Sequence, residues 1–198
     1  MNRLKQLTSL LGKPLLDLSI VISGVTVAFL LNNWNMKKSE RAEKEKILNS
    51  LQAELKEITR YFPSMEVYQQ SKSKEWDSLL NRNQLSDFYQ YYYLKPQYNY
   101  AIIEYAIETR NSEIVSFELY EKLLILYKHI KMLEQAETYM TDVALAYQST
   151  QKGESITFQN LFLYKRFIGF SKNRANSLRA VNKVANDILT WIEYEKNQ

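Results

Sequence analysis

The sequence predicts an all-α chain in which an N-terminal transmembrane helix continues into an antiparallel helical bundle. Three observations carry this reading. An apolar run occupies Leu15–Leu31, broken by one charge; glycine and proline number only 4 and 3 among 198 residues; and apolar residues recur at intervals of three and four through most of the chain beyond the run. Sheet folds reverse direction often and use glycine and proline to do so. Their scarcity therefore points to long helices. Roughly 160 residues beyond the run suffice for one domain with its own core but hardly for two. The chain divides into a short basic tail (1–14), a transmembrane helix with its interfacial anchor (15–35) and a soluble helical-bundle domain (36–198).

The apolar run has about the minimum length that crosses roughly 30 Å of hydrocarbon at 1.5 Å per residue. A cleaved secretory leader would have a shorter apolar region ending in small residues, whereas this one ends in Phe29-Leu30-Leu31-Asn32-Asn33-Trp34. A buried core helix is the other alternative. Against it, Lys13 precedes the run and Trp34, Lys37 and Lys38 come after it, residue types that sit at a membrane–water interface. Asp17 is the one charge inside. It lies three residues past Pro14, where it can reach headgroup water and favour a helix N-terminus, although an ionisable group in a span is also a default functional candidate.

At about 100° per residue, Asp17, Gly24, Ala28 and Asn35 fall near one helix face, with Asn32 further round. Small residues four apart let backbones approach and a polar Asn can hydrogen-bond across a helix pair. This face is a candidate contact with another transmembrane helix, either a second copy or a partner's; chance alignment is the competing account. Arg3, Lys5 and Lys13 lie before the span, while Lys37, Lys38, Arg41, Lys44 and Lys46 lie after it. That count favours a cytoplasmic bundle, yet long domains cross despite flanking charge. The expected location is a bacterial inner membrane, with the periplasm as the leaning for the bundle and the side left open.

Beyond the anchor, Lys37–Phe62 holds no glycine or proline. Its first turns are charged all round, with Glu40 four residues ahead of Lys44, as in a solvated helix. Ile47, Leu51, Leu55, Ile58 and Phe62 then form one apolar stripe. Pro63 is expected to end this helix and Ser64 to cap a second, Met65–Asn81, carrying Met65, Tyr68, Trp76 and Leu79 or Leu80.

The stretch from Asp87 to Tyr105 is the oddest in composition, with Phe88, Tyr89, Tyr91, Tyr92, Tyr93, Tyr98, Tyr100 and Tyr105 around Pro96. Tyrosine offers a rigid apolar face and a polar tip, so these rings can form a platform for a ligand or partner, or line the junction between helices. After a turn at Arg110-Asn111-Ser112, Ser116 can cap a helix from Phe117 to about Gln148. Its seam is Leu119, Leu123, Leu126, Ile130 and Leu133, resuming after Glu137 with Met140, Ala144 and Tyr147. A heptad seam of this length can drive self-association or pack inside its own chain. Gly153 is expected to end it. The last helix, Thr157 to about Lys196, carries Phe158, Leu161, Phe162 and Tyr164, a possible bend at Gly169, then Leu178, Val181, Ala185, Ile188 and Ile192.

The chemistry-bearing patterns are mostly missing. Lys and Arg number 26 against 22 Asp and Glu, interspersed, so no basic face for nucleic acid stands out. There is no cysteine, hence no disulfide, thiolate site or thiol nucleophile. His129 is the single histidine and lacks the partners of a zinc set. The glycines are isolated, without a phosphate loop or a Gly-x-Ser-x-Gly elbow. The carboxylates alternate with Lys and Arg as on solvent faces. No cofactor or metal is expected, and an enzyme is disfavoured.

The span, Asn32-Asn33-Trp34-Asn35 and the charged helix Lys37–Leu55 together resemble a bacterial family of uncharacterised single-pass membrane proteins, a domain of unknown function. The likeness continues through Tyr100-Ala-Ile-Ile-Glu-Tyr and Phe117-Glu-Leu-Tyr-Glu-Lys-Leu-Leu, with Arg110-Asn111 standing where the family tends to have a glycine turn. The resemblance implies an envelope location and a helical domain, and no reaction. The expected role is a non-catalytic membrane-anchored scaffold or accessory subunit, contacting lipid and a protein partner or second copy. The alternatives are an envelope ligand sensor using the tyrosine-rich segment and, less favoured, a membrane-tethered hydrolase.

Overall fold

A computed structural model describes residues 2–86, 100–108, 115–150 and 157–196, with side chains over 21–86, 100–108, 115–147 and 157–196. Among these residues the protein is all-α: α1 (Asn2–Asn81), α2 (Ala101–Glu108), α3 (Phe117–Thr150) and α4 (Phe158–Lys196). The chain divides into two compact units, Met1–Glu45 and Lys46–Gln198.

The second unit is a helical bundle. The predicted stripe of α1 is buried throughout, from Ile47 through Leu51, Leu55 and Ile58 to Phe62. Pro63 does not end the helix. A proline in a helix interior removes one backbone hydrogen bond and crowds the preceding turn, at a cost of about 3 kcal/mol. Here the buried positions continue beyond it at the same spacing, as Gln69, Ser73 and Trp76, so tertiary burial on both sides of Pro63 outweighs the local penalty. Ser64 consequently caps nothing; its hydroxyl donates to the Tyr61 carbonyl at 2.8 Å. Tyr68, expected inside, is 45% exposed, because the seam runs through its neighbour Gln69. α1 stops after Asn81 in a Schellman arrangement. Asn83 takes the left-handed conformation (φ 55°), the Gln84 amide donates to Leu79 O at 2.9 Å and the Asn83 amide to Leu80 O at 3.0 Å.

The predicted cap of α3 is present, and α4 has one that the sequence pattern did not single out. Ser116 Oγ accepts from the Leu119 amide at 3.3 Å, and Thr157 Oγ1 from the Asn160 amide at 3.2 Å. The α3 seam is buried as expected, except that Val143 takes the deeper place and Ala144 is half-buried. In α4 the positions Leu178, Val181, Ala185, Ile188 and Ile192 are buried. Its first turns are corrected: Phe158 is 85% and Phe162 50% exposed, and Leu163, Tyr164, Phe167 and Ile168 face inward. Extending the seam of the C-terminal half backward at three and four residues reaches Leu163 and Phe167, so periodicity overrides the bulk of the two outward rings. α4 runs through Gly169, where an added Cβ would meet no atom within 4 Å. The expected turn at Arg110–Ser112 and the stop at Gly153 lie outside the described residues.

Two apolar clusters give the helix directions. One joins Ile47–Phe62 of α1 to Leu119–Leu133 of α3 and Leu178–Ile192 of α4, with Ile103 and Ala106 of α2 packed in. The other joins Trp76 to Met140, Val143 and Tyr147 and to Leu163–Ile168. Rising numbers in α1 thus accompany rising numbers in α3 and falling numbers in α4. α4 is antiparallel to both, while α1 and α3 share a direction. The returning connection between α1 and α3 contains α2, which packs on the first cluster. Pairs on the rim agree: Lys196 Nζ donates to Asn49 Oδ1 and Gln52 Oε1 at 2.6 Å each, Arg179 pairs with Glu66 at 2.7 Å, and Lys172 pairs with Asp77.

Candidate functional site: an uncovered apolar helix and a buried polar layer

In the first unit, the side chains of the predicted span are described over Val21–Leu31. Its large apolar side chains, Val21, Ile22, Val25, Val27, Phe29, Leu30 and Leu31, are 53–64% exposed. At about 100° per residue these positions lie all round the helix, not on one stripe. Among the described residues, none buries them. A hydroxyl in their midst turns inward: Thr26 Oγ1 donates to the Ile22 carbonyl at 2.8 Å, one turn back. Of the candidate contact face, Gly24, Ala28, Asn32 and Asn35 are exposed, and a Cβ at Gly24 would meet nothing within 4 Å. The side chain of Asp17, with those of Leu15–Ile20, lies outside the described residues. In the anchor, Lys38 Nζ sits 5.4 Å from the centre of the Trp34 ring, a cation–π pair on the helix surface; Lys37 is exposed beside it. Among the described residues no helix is long and apolar enough to cross a membrane.

The tyrosine-rich patch is described at one end only. Phe88, Tyr89, Tyr91, Tyr92, Tyr93 and Tyr98 lie outside the described residues. Tyr100 is half-buried, edge-on to Tyr127 at 6.0 Å between ring centres, with Lys131 Nζ 3.9 Å from its own ring centre. Burial, and next the Glu134 carboxylate, push its hydroxyl well above the usual tyrosine range. Tyr127 donates to Glu104 Oε1 at 2.9 Å, and that hydrogen bond raises its own ionisation. These rings fasten the start of α2 to α3, which is the helix-junction role. Beside them an open groove of about 610 Å³ is lined by Ser50, Glu54, Glu57, Ala101 and Ile102. Glu57 there is solvated and paired to Arg60 at 2.8 Å, so the groove brings together no desolvated acid pair.

The feature that sequence reasoning missed lies between the two apolar clusters. Gln69, Ser73, Glu137, Ser171 and Arg174 are all buried. Arg174 Nε donates to Glu137 Oε1 at 2.9 Å, and Arg174 Nη1 to Gln69 Oε1 at 2.7 Å. Since a guanidinium can only donate, this fixes the Gln69 amide with its nitrogen toward Ser171, to which it donates. The remaining protons then have one consistent order. Ser73 Oγ donates to the Gln69 carbonyl at 2.8 Å, so Ser171 Oγ donates to Ser73 Oγ at 2.5 Å. Three helices thereby share one polar layer. Each member stands at a seam position, and the signal was available: a charge or an amide interrupting an apolar stripe at its own spacing. Glu137 also corrects the expectation that the acids occupy solvent faces.

His129 is half-buried on α3, and among the described residues no group of three or more His, Asp or Glu is placed to hold a metal ion. The chain matches no family model, no curated protein and no solved structure.

Proposed function

We propose that the protein is a single-pass anchor of a bacterial inner membrane, carrying a non-catalytic helical bundle that works as a scaffold or accessory subunit through protein–protein contacts. The observation that carries this reading is the helix between Val21 and Leu31, whose apolar side chains are exposed on every face. Apolar surface of that extent in water is a liability, and a helix apolar all round is buried in protein or in lipid. Lipid accounts for all faces at once. The inward hydroxyl of Thr26 supports it, since hydrocarbon offers no hydrogen-bond partner, and so does the Trp34–Lys38 pair at the polar end. The family resemblance read from Asn32-Asn33-Trp34-Asn35 points the same way.

The bundle supports the scaffold role through what its side chains do. Its buried polar groups bond one another across helices, and its half-buried tyrosines hold α2 in place. In the membrane, the face of Gly24, Ala28, Asn32 and Asn35 is the proposed contact with a second copy or a partner helix, and the periplasm is the proposed side for the bundle. Affinity purification of the full chain in mild detergent tests the role: a stoichiometric protein partner or a discrete homo-oligomer is expected. A lone monomer stabilised by a small molecule would replace the scaffold by a sensor.

A further inference from the structure

We infer that the buried layer of Gln69, Ser73, Glu137, Ser171 and Arg174 is a register lock: it selects one alignment of three helices whose seams would otherwise accept several. All five residues lie in the second unit, so the lock holds wherever the N-terminal helix resides.

Away from the layer, and apart from Asn160 in the first turn of α4, the buried positions of α3 and α4 are apolar or tyrosine. On α3 they read Leu119, Leu123, Leu126, Ile130, Leu133, then Met140, Val143 and Tyr147; on α4 they read Leu163, Tyr164, Phe167, then Leu178, Val181, Ala185, Ile188 and Ile192. Because both repeat every seven residues, sliding one helix past the other by seven lays apolar residues against apolar residues again. Burial alone discriminates poorly between these alignments. The native one is marked by Glu137 opposite Arg174, and ten residues further along α3 and ten back along α4, Tyr147 meets Tyr164 at 6.0 Å between ring centres. A seven-residue slip in one direction sets Glu137 against Val181 and Arg174 against Ala144. In the other it sets Glu137 against Phe167 and Arg174 against Ile130. Either leaves two opposite charges buried without each other, and where α4 is the helix that moves, Gln69 and Ser73 also lose Arg174 and Ser171.

A buried ion pair is weak support for stability, because desolvation offsets most of the attraction, and its best-attested use is to specify register. The layer therefore acts on the number of accessible structures more than on the depth of one.

The chain contains no cysteine, so paired cysteines report alignment directly in the full chain held in detergent. The native reporter is Tyr139→Cys with Phe170→Cys, whose rings lie 5.3 Å apart. The slipped reporters are Tyr139→Cys with Ser177→Cys and Met132→Cys with Phe170→Cys, each displaced by seven residues, about 10.5 Å along a helix and beyond disulfide reach. With the layer intact, mild oxidation should close only the native pair. With the layer made apolar (Gln69→Leu, Ser73→Ala, Glu137→Leu, Ser171→Ala and Arg174→Met), the protein should still unfold cooperatively while a slipped pair closes to a comparable extent. The exchanged pair Glu137→Arg with Arg174→Glu should return closure to the native reporter alone. The inference is overturned if the apolar-layer protein closes only the native pair, if it fails to fold, or if the exchanged pair closes a slipped reporter.

Discussion

Arg174 and Glu137 meet at 2.9 Å in the middle of the bundle, their side chains 1% and 0% exposed. Removing one member strands the other charge in a low-dielectric core. Glu137→Ala and Arg174→Ala should each lower stability by about 3–5 kcal/mol. Urea unfolding followed by the fluorescence of Trp76, buried in the adjacent cluster, measures this; a loss below about 1 kcal/mol in either variant would mean that the charge finds water or another partner.

On α3, neighbouring positions should differ sharply. Leu126 is fully buried and Ile125 is 49% exposed. Leu126→Ala should cost about 2–5 kcal/mol, the transfer free energy of the lost methyl groups plus the cavity they leave. Ile125→Ala should change stability by no more than about 0.5 kcal/mol. Equal effects in chemical denaturation would contradict the assigned seam.

The alkaline limb of stability should depend on Tyr100. Its folded-state ionisation lies above the ordinary value of 10.0, from burial first and then from Glu134. A raised value means that the folded state holds the proton more tightly than the unfolded chain does. The contribution is therefore complete below the unfolded value and declines as pH rises from about 10 toward the folded value. Tyr100→Phe removes this titration, so its urea midpoint should fall less between about pH 9 and about pH 11 than that of the native protein; parallel declines would contradict it.

The helices were legible because their seams are written in Leu, Ile and Val at three- and four-residue spacing: Leu119 to Leu133 and Leu178 to Ile192 needed nothing further. Legibility failed where local and tertiary terms disagree. Pro63 carries a strong local stop signal, but the pairing of the helix on both sides with α4 overrides it. Phe158 and Phe162 look like core residues by type, and only the backward extension of the α4 seam reveals them as outward. The polar layer was half legible. Gln69, Glu137 and Arg174 interrupt the apolar stripes at seam spacing, but which partners they meet is set only when three helices, far apart in sequence, come together. The common direction of α1 and α3 was also out of reach, since seam spacing is unchanged when a helix is reversed.

The proposed contact in the membrane makes a sharp prediction at Gly24 and Ala28. Leucine at either position prevents close backbone approach, and among the described residues a Cβ at Gly24 would meet no atom within 4 Å. Gly24→Leu and Ala28→Leu should weaken self- or partner association in a membrane two-hybrid assay by several-fold. Unchanged signal would remove this face from the account.

The most direct test of the anchor is fractionation of the full chain at high pH. Carbonate washing strips proteins held by surface contacts but leaves membrane-spanning ones. The protein should stay in the high-speed pellet and enter the supernatant only with detergent. Recovery in the carbonate supernatant would contradict the account, and the exposed apolar helix Val21–Leu31 would then need a protein to cover it instead of lipid.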